Sequence, residues 1–173
     1  MPHSPMMKNR SLILLLSFLV THSVVVSRPV SGVGRDSSVS VQGRRARRGT
    51  SQASQASKDI DALAASLRTA GVKVGKRGRV SQPFFSVGGQ ILAVIGEDVQ
   101  VFRYATARAA EREAGRVSPD GSGVGTSMVS WISTPHFFRK DNLIVLYVGD
   151  DAGVLRALGA VLGNQFAGGG GGE

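Results

Sequence analysis

His136 lies close in sequence to the serine and acidic residues that could complete a catalytic triad. Ser127 and Ser130 precede it, and Asp120 and Asp141 lie on either side. A hydrolase uses a serine, a histidine and a carboxylate to activate its nucleophile. Neither serine lies in a G-x-S-x-G turn, which would expose the hydroxyl beside an oxyanion hole. A hydrolase using Ser127 or Ser130 with His136 is therefore our alternative hypothesis, and we expect no catalytic site.

The sequence gives no signal for a metal or cofactor. It contains no cysteine, and residues 58–173 contain one histidine without a spaced carboxylate cluster. The glycine-rich stretch 118–126 follows a predicted helix, precedes a predicted strand and lacks lysine, so it does not match a phosphate-binding loop. Glu97 and Asp98 fit the tip of a hairpin, where carboxylates form turns. We expect neither a metal nor a cofactor.

Aromatic residues offer a candidate binding surface. Adjacent residues on a strand point to opposite faces, so both rings of the Phe84-Phe85 or the Phe137-Phe138 pair cannot enter one core. An exposed ring in each pair would suit a partner or a ligand, whereas a second small core under the first helix would bury them. The two interpretations carry equal weight. The candidate binding residues are Phe84, Phe85, His136, Phe137, Phe138 and Arg139.

The elements that would position these residues centre on 127–149. Residues 129–132 and 143–148 predict the two arms of a central hairpin, with Pro135 and Asp141-Asn142 between them. Residues 143–148 are apolar at consecutive positions, which indicates a strand covered on both faces. Leu146 should lie in that buried strand.

Three helices and a second hairpin complete the predicted domain. The helices begin at Ser57 or Asp59, at Thr106, and at Asp150 or Asp151, each before an apolar stripe at helical spacing. A tight hairpin joins residues 90–95 to 99–104 through Gly96-Glu97-Asp98. This order predicts an α+β domain over 58–166, with a mainly antiparallel sheet of about four to six strands and about three helices on one face. Residues 167–173 should form a flexible glycine tail.

Residues 1–30 are typical of a secretory signal peptide. Lys8 and Arg10 precede an apolar run from Leu12 to Val20, and small residues follow it up to a cleavage site after Ser27 or Gly32. An uncleaved membrane anchor is the alternative, although the run is shorter than the roughly 20 apolar residues of a span. An organelle transit peptide is a third interpretation, because the segment is rich in Arg and Ser.

Residues 31–57 consist mainly of Ser, Gly, Gln, Ala and Arg and predict a disordered linker. Eight of the 21 Lys and Arg but one of the 12 acids lie in residues 1–57, so the domain itself is nearly neutral. A near-neutral domain disfavours nucleic-acid binding. The linker cluster Arg44, Arg45, Arg47 and Arg48 could contact an anionic surface, serve as a processing site, or be a solvated tether.

Several motifs occur in a recognisable order: PFFSVGGQIL, GEDVQVF, VSPDG, TPHFFR, LIVLYVGDD and a closing L-x-x-x-L-G. In this order the chain, over about 59–167, resembles a family of small, uncharacterised bacterial exported proteins, many of them similar to lipoproteins. The resemblance implies an exported protein with a tethered domain and implies no activity. The chain departs from the pattern because no cysteine follows its apolar segment, so lipid attachment of that kind is impossible.

Export and the absence of a reaction centre together indicate a binding protein. We expect a non-enzymatic domain, at the cell envelope or outside the cell, that binds a protein partner or a small ligand. The hydrolase remains the alternative, and a contact between either serine hydroxyl and the His136 ring would favour it.

Overall fold

The computed structural model describes the backbone of residues 39–169 and the side chains of residues 54–169. The predicted signal segment 1–30, the first part of the linker and residues 170–173 lie outside the described residues. The six-stranded sheet contains β1 (Val74–Val80), β2 (Gly89–Val94), β3 (Glu97–Arg103), β6 (Pro135–Lys140), β7 (Leu143–Val148) and β8 (Ala167–Gly168). A separate two-stranded sheet contains β4 (Gly123–Val124) and β5 (Ser127–Met128). The helices are α1 (Val39–Thr69), α2 (Ala107–Ala114) and α3 (Ala152–Leu162).

The main sheet has the order β1-β2-β3-β7-β6-β8, and every neighbouring pair is antiparallel. The predicted α+β class, with a mainly antiparallel sheet and three helices, is therefore confirmed. None of the described helices has the length and apolar composition to span a membrane.

Both faces of the sheet are covered, and each forms its own core. Helices α1 and α3 cover one face, through side chains such as Leu67 and Leu158 against Val101 and Val145. Helix α2 covers the opposite face, so the prediction that all helices pack on one face is wrong. The small Ala110 and Ala114 side chains let α2 approach the sheet closely, which makes that second layer compact. Strand β7 is apolar at consecutive positions because it is buried between the two layers.

Helix α1 begins earlier than predicted. It starts at Val39 rather than at a cap on Ser57 or Asp59, and it crosses the later part of the predicted linker. Side chains one turn apart support the helix around those positions, since Gln55 donates to Asp59 and Ser57 donates to Asp61. Among the described side chains of the helix, from residue 54 on, Ile60 is the first to enter the core, which agrees with a folded core that begins after Ser57. The predicted caps Thr106 and Asp151 both accept a backbone hydrogen bond at the start of α2 and α3.

The central hairpin has a different first arm from the one predicted. Strand β7 pairs with Pro135–Lys140, and residues 129–132 belong to no strand. The apolar residues of 129–132 made that segment strand-like, but Val129 and Trp131 pack from outside onto the second core. At the chain's end Ala167 pairs with Phe137 and is buried, so the domain extends into the predicted glycine tail.

The hairpin between β2 and β3 is confirmed with a shifted turn. Ile95 and Gly96 form the turn and both have positive φ, at 56° and 95°. Such angles are those that a two-residue hairpin turn requires. Glu97 already pairs with Val94, so it begins β3 and does not lie in the turn.

Candidate functional site

The predicted aromatic surface is buried. Phe84 and Phe85 are 6% and 7% exposed, and their rings pack on each other and on Trp131 and Phe102. Of the two interpretations, the exposed ring is wrong for this pair, because the two residues lie in a turn and not on a strand. The second small core exists, but α2 covers it and not the first helix. Strand alternation does not apply there, and both rings enter the second core.

Phe137 and Phe138 do alternate, as adjacent strand residues must. Phe137 enters the core under α2, and Phe138 enters the core under α1 and α3. Both are buried because the sheet is covered on both sides, so the exposed ring expected in this pair is also absent. Arg139, the next residue on β6, is exposed.

His136 is a buried residue of the sheet. Its ring is stacked on Tyr147, its cross-strand neighbour, and its Nδ1 lies 2.8 Å from Oε1 of Gln165. Nε2 is buried without a hydrogen-bond partner in the described part of the chain. Ser127 and Ser130 are exposed, and within residues 54–169 no hydrogen bond joins either hydroxyl to the ring. The hydrolase alternative therefore lacks a supporting contact.

A groove on the α1 side of the sheet is lined by helix α1 and by strands β1, β2 and β3, and it collects basic residues from two of these strands. Its volume is about 630 Å³. Lys76 and Arg79 come from β1 and Arg103 from β3, and the charged side chains that line it are all basic among the described residues. The remaining lining is Ala56, Ser57, Ile60, Val80, Ser81, Gly88, Gly89 and Gln90. We call this site the basic groove.

A β-bulge brings Lys76 and Arg79 to the same face of β1. In a regular strand, residues three positions apart point to opposite faces. The register shifts between Lys76 and Gly78, so that Lys76 pairs with Leu92 and Arg79 pairs with Gln90. Leu92 and Gln90 are two positions apart on regular β2 and therefore share a face, the one covered by α1. Their partners on β1 consequently share it too.

The extra residue of the bulge is Arg77, and its side chain takes a different direction. Nη1 of Arg77 lies 2.6 Å from Oδ1 of Asp98, and Nη2 donates to the carbonyl oxygen of Gly96 at 2.7 Å. Asp98 alternates with Val99 on β3, so it lies on the face away from α1. Arg77 therefore anchors the bulge to the β2–β3 turn, whereas Lys76 and Arg79 face the groove.

Arg103 is held at the groove by Asp59 of α1. Its Nε donates to Oδ2 of Asp59 at 2.9 Å, and the same oxygen accepts from Nδ2 of Asn142 at 2.9 Å. The hydrogen bond from Asn142 and then that from Arg103 lower the pKa of Asp59 below its ordinary value. Asp59 is therefore ionised at neutral pH and ties α1 to β3 and to the β6–β7 turn.

The other two cations are more exposed. Lys76 forms a salt bridge with Asp61 of α1 at 2.5 Å, and this hydrogen bond lowers the pKa of Asp61. Arg79 is exposed and forms no salt bridge with a described residue. The Lys76–Asp61 ion pair is exposed to solvent, so a ligand can reach Lys76 beside its partner.

Sequence reasoning missed the basic groove because its members are far apart in the chain. No sequence pattern gave Lys76 or Arg79 a role, and Arg103 lies in the second arm of the predicted hairpin, 99–104. The one local signal is Lys-Arg-Gly-Arg at 76–79, where a glycine beside consecutive charges can mark a bulge. The predicted linker cluster Arg44, Arg45, Arg47 and Arg48 lies on the first part of α1, outside the residues whose side chains are described.

In residues 54–169 no three His, Cys, Asp or Glu side chains converge as the ligands of a metal ion would. Searches of protein-family models, of curated proteins and of solved structures found no match to this chain. The resemblance to small bacterial exported proteins therefore stays a prediction from the sequence motifs.

Proposed function

We propose that the chain is an exported, non-enzymatic domain that binds a small anionic ligand in the basic groove, at the cell envelope or outside the cell. The observation that supports binding is the convergence of Lys76, Arg79 and Arg103 on one volume that no described acid lines. Asp61 and Asp59 offset part of the charge of Lys76 and Arg103, and the positive charge that remains, chiefly that of Arg79, would attract an anion into this volume. The volume of about 630 Å³ is that of a small-molecule site.

The chemistry of the lining favours binding over catalysis. Positive charge comes from the three basic residues, and Gln90 has a second Nε2 hydrogen beyond the one that it donates to the carbonyl oxygen of Gly78. Such groups hold and orient an anion. An imidazole or a carboxylate, the usual groups for moving protons near neutral pH, does not line the groove among the described residues.

Isothermal titration calorimetry with pyrophosphate and with citrate tests the binding role. We expect saturable one-site binding at low salt, weakened by added NaCl because the contact is electrostatic. Arg79→Gln should weaken binding about fivefold, the effect of one exposed charge near the ligand. Arg112→Gln removes the same charge from the exposed surface of α2 and should change nothing. Equal losses in the two variants, or no binding by the parent, would refute the proposal.

Export is supported by the N-terminal sequence, where Lys8 and Arg10 precede the apolar run from Leu12 to Val20. Its test is the mass and the N-terminal sequence of the protein recovered from cells. A mature chain that begins between Arg28 and Gly34, found outside the cytosol, is the expected result. Recovery of a chain with an intact Met1 from the cytosol alone would rule out export.

A further inference from the structure

Arg103 presents a free edge of its guanidinium group to the basic groove. Its side chain is 13% exposed, which is low for arginine, and its one hydrogen bond to a described residue is made by Nε. Nη1 and Nη2 donate to no described residue, and neither is among the fully buried polar atoms that lack a partner. Since Arg103 lines the groove, no described residue competes with a ligand for its two Nη groups.

Asp59 fixes the orientation of that guanidinium group. Both of its carboxylate oxygens are engaged: Oδ2 accepts from Arg103 and Asn142, and Oδ1 accepts from Gln55 at 3.1 Å. A carboxylate held from three sides cannot turn, so it holds the Nε side of Arg103 in place. The opposite edge, with two parallel N–H groups, is the geometry that binds two oxygens of one anion.

We propose that the ligand of the basic groove carries a phosphate monoester, that Arg103 binds two of its oxygens, and that Asp59 is the positioning residue for Arg103. This inference rests on the proposed function. A carboxylate is planar, and the fork of Arg103 alone would satisfy both of its oxygens. A phosphate monoester has three acceptor oxygens and a charge between −1.5 and −2 near pH 7, so it can also use Lys76 and Arg79.

Two ligands of matched shape test the choice of anion. Phenyl phosphate and benzoate share the ring and differ in the anionic group. Calorimetry on the parent chain at pH 7.5 and low salt should give binding of phenyl phosphate at least about tenfold tighter than that of benzoate. Arg103→Lys keeps the charge and loses the fork, so it should weaken phenyl phosphate about tenfold or more and reduce the preference.

Asp59→Ala distinguishes a positioning role from a purely electrostatic one, because the two roles predict opposite changes in the affinity for phenyl phosphate. The substitution removes a negative charge near the groove, and a purely electrostatic site would then bind phenyl phosphate more tightly. If Asp59 positions Arg103, binding should weaken about tenfold despite the added positive charge. Asp61→Ala, which makes the same charge change beside Lys76, should leave the affinity unchanged or slightly higher. A melting curve of each variant shows whether it is folded. If Asp59→Ala does not fold, the affinity of Arg103→Lys for phenyl phosphate still tests the role of the Arg103 fork.

The outcomes distinguish this inference from the function on which it rests. A parent chain that binds neither phenyl phosphate nor benzoate, and neither pyrophosphate nor citrate, would refute both. Equal affinity for phenyl phosphate and benzoate, together with tighter binding by Asp59→Ala, would leave an anion-binding groove and overturn the role given to Arg103 and Asp59.

Discussion

Lys76 and Arg79 lie on the same face of β1 although they are three positions apart, because Arg77 between them is the extra residue of a β-bulge. Two of the three basic groups of the groove thus depend on one irregularity in an edge strand. Bulges redirect side chains in this way at the edges of sheets.

Deletion of Arg77 tests whether it is the extra residue of the bulge. Without it, Lys76 and Arg79 would be two positions apart on a regularly alternating β1, and both would still face the groove. Arg77→Ala is the matched control, because it removes the same charge and the salt bridge to Asp98 but keeps the backbone residue. We expect the two variants to bind pyrophosphate with affinities within about twofold of each other, as measured by calorimetry. Binding about fivefold or more weaker in the deletion variant would contradict Arg77 as the extra residue.

The contribution of Asp59 to stability should depend on pH. Its pKa in the folded chain is below the ordinary value of 3.8, so the unfolded chain binds its proton more readily. The stabilisation is therefore complete above the unfolded pKa and is lost as the pH falls below about 4. At pH 6 we expect Asp59→Asn to lower the free energy of unfolding by about 1–3 kcal/mol, because the negative charge that strengthens the partly buried hydrogen bonds from Arg103 and Asn142 is lost.

Urea denaturation of the parent and of Asp59→Asn at pH 6 and pH 3 measures this effect. The difference between the two chains should be smaller at pH 3, because the stabilisation from ionised Asp59 is lost progressively once the pH falls below the ordinary pKa of 3.8. The other carboxylates titrate in both chains and cancel in the comparison. A difference that stays constant over this range would contradict an ionised Asp59 as the partner of Arg103.

Tyr104 carries a buried hydroxyl without a partner in the described part of the chain. Its side chain is 3% exposed, and burial raises its pKa well above the ordinary value. Tyr104→Phe removes a polar group that gains no hydrogen bond from folding, so the free energy of unfolding should rise by about 1 kcal/mol. Thermal and urea denaturation measure it.

Tyr147→Phe is the matched control for Tyr104. The Tyr147 hydroxyl accepts a hydrogen bond from the backbone N–H of Asp151 at 3.1 Å, so its removal should cost about 1 kcal/mol. The two substitutions should therefore shift stability in opposite directions. Equal destabilisation by both would mean that the Tyr104 hydroxyl has a partner in solution.

Leu146 tests the assignment of β7 as the buried central strand. Its side chain is fully buried in the core under α2. Leu146→Ala should lower the free energy of unfolding by about 2–5 kcal/mol, because it leaves a cavity. Met128→Ala, at a residue that is 83% exposed, should change it by less than about 0.5 kcal/mol. A Leu146→Ala variant as stable as the parent would contradict this assignment.

Much of the fold could be predicted because its signals are local. The caps at Thr106 and Asp151 and the apolar run of β7 each occupy a few consecutive residues. The first arm of the central hairpin could not be predicted. Residues 129–132 and 135–138 are both largely apolar, and only the pairing with β7 shows which segment forms the strand. The burial of the Phe137-Phe138 pair likewise depends on a second layer over the sheet, which strand alternation alone does not reveal.

The basic groove could not be predicted because it depends on contacts between distant segments. Asp59 and Asn142 are 83 positions apart, and their hydrogen bond is part of what holds Arg103 at the groove. The side chain of Lys76 faces the groove through a bulge that no residue pattern specifies uniquely. The four phenylalanines that were predicted to bind are buried in the two cores, because an apolar ring is more stable in a core than in contact with water.

Chemical shifts in a two-dimensional ¹⁵N–¹H NMR titration with phenyl phosphate test the basic groove most directly. The backbone amides of Gly88, Gly89 and Gln90 and the Nε–H of Arg103 should shift together and saturate with one dissociation constant, because they surround the bound anion. The amide of Met128, on the separate two-stranded sheet, should not move. Saturation without shifts at Gly88 to Gln90 and Arg103, or a response centred elsewhere in the chain, would contradict the basic groove as the binding site.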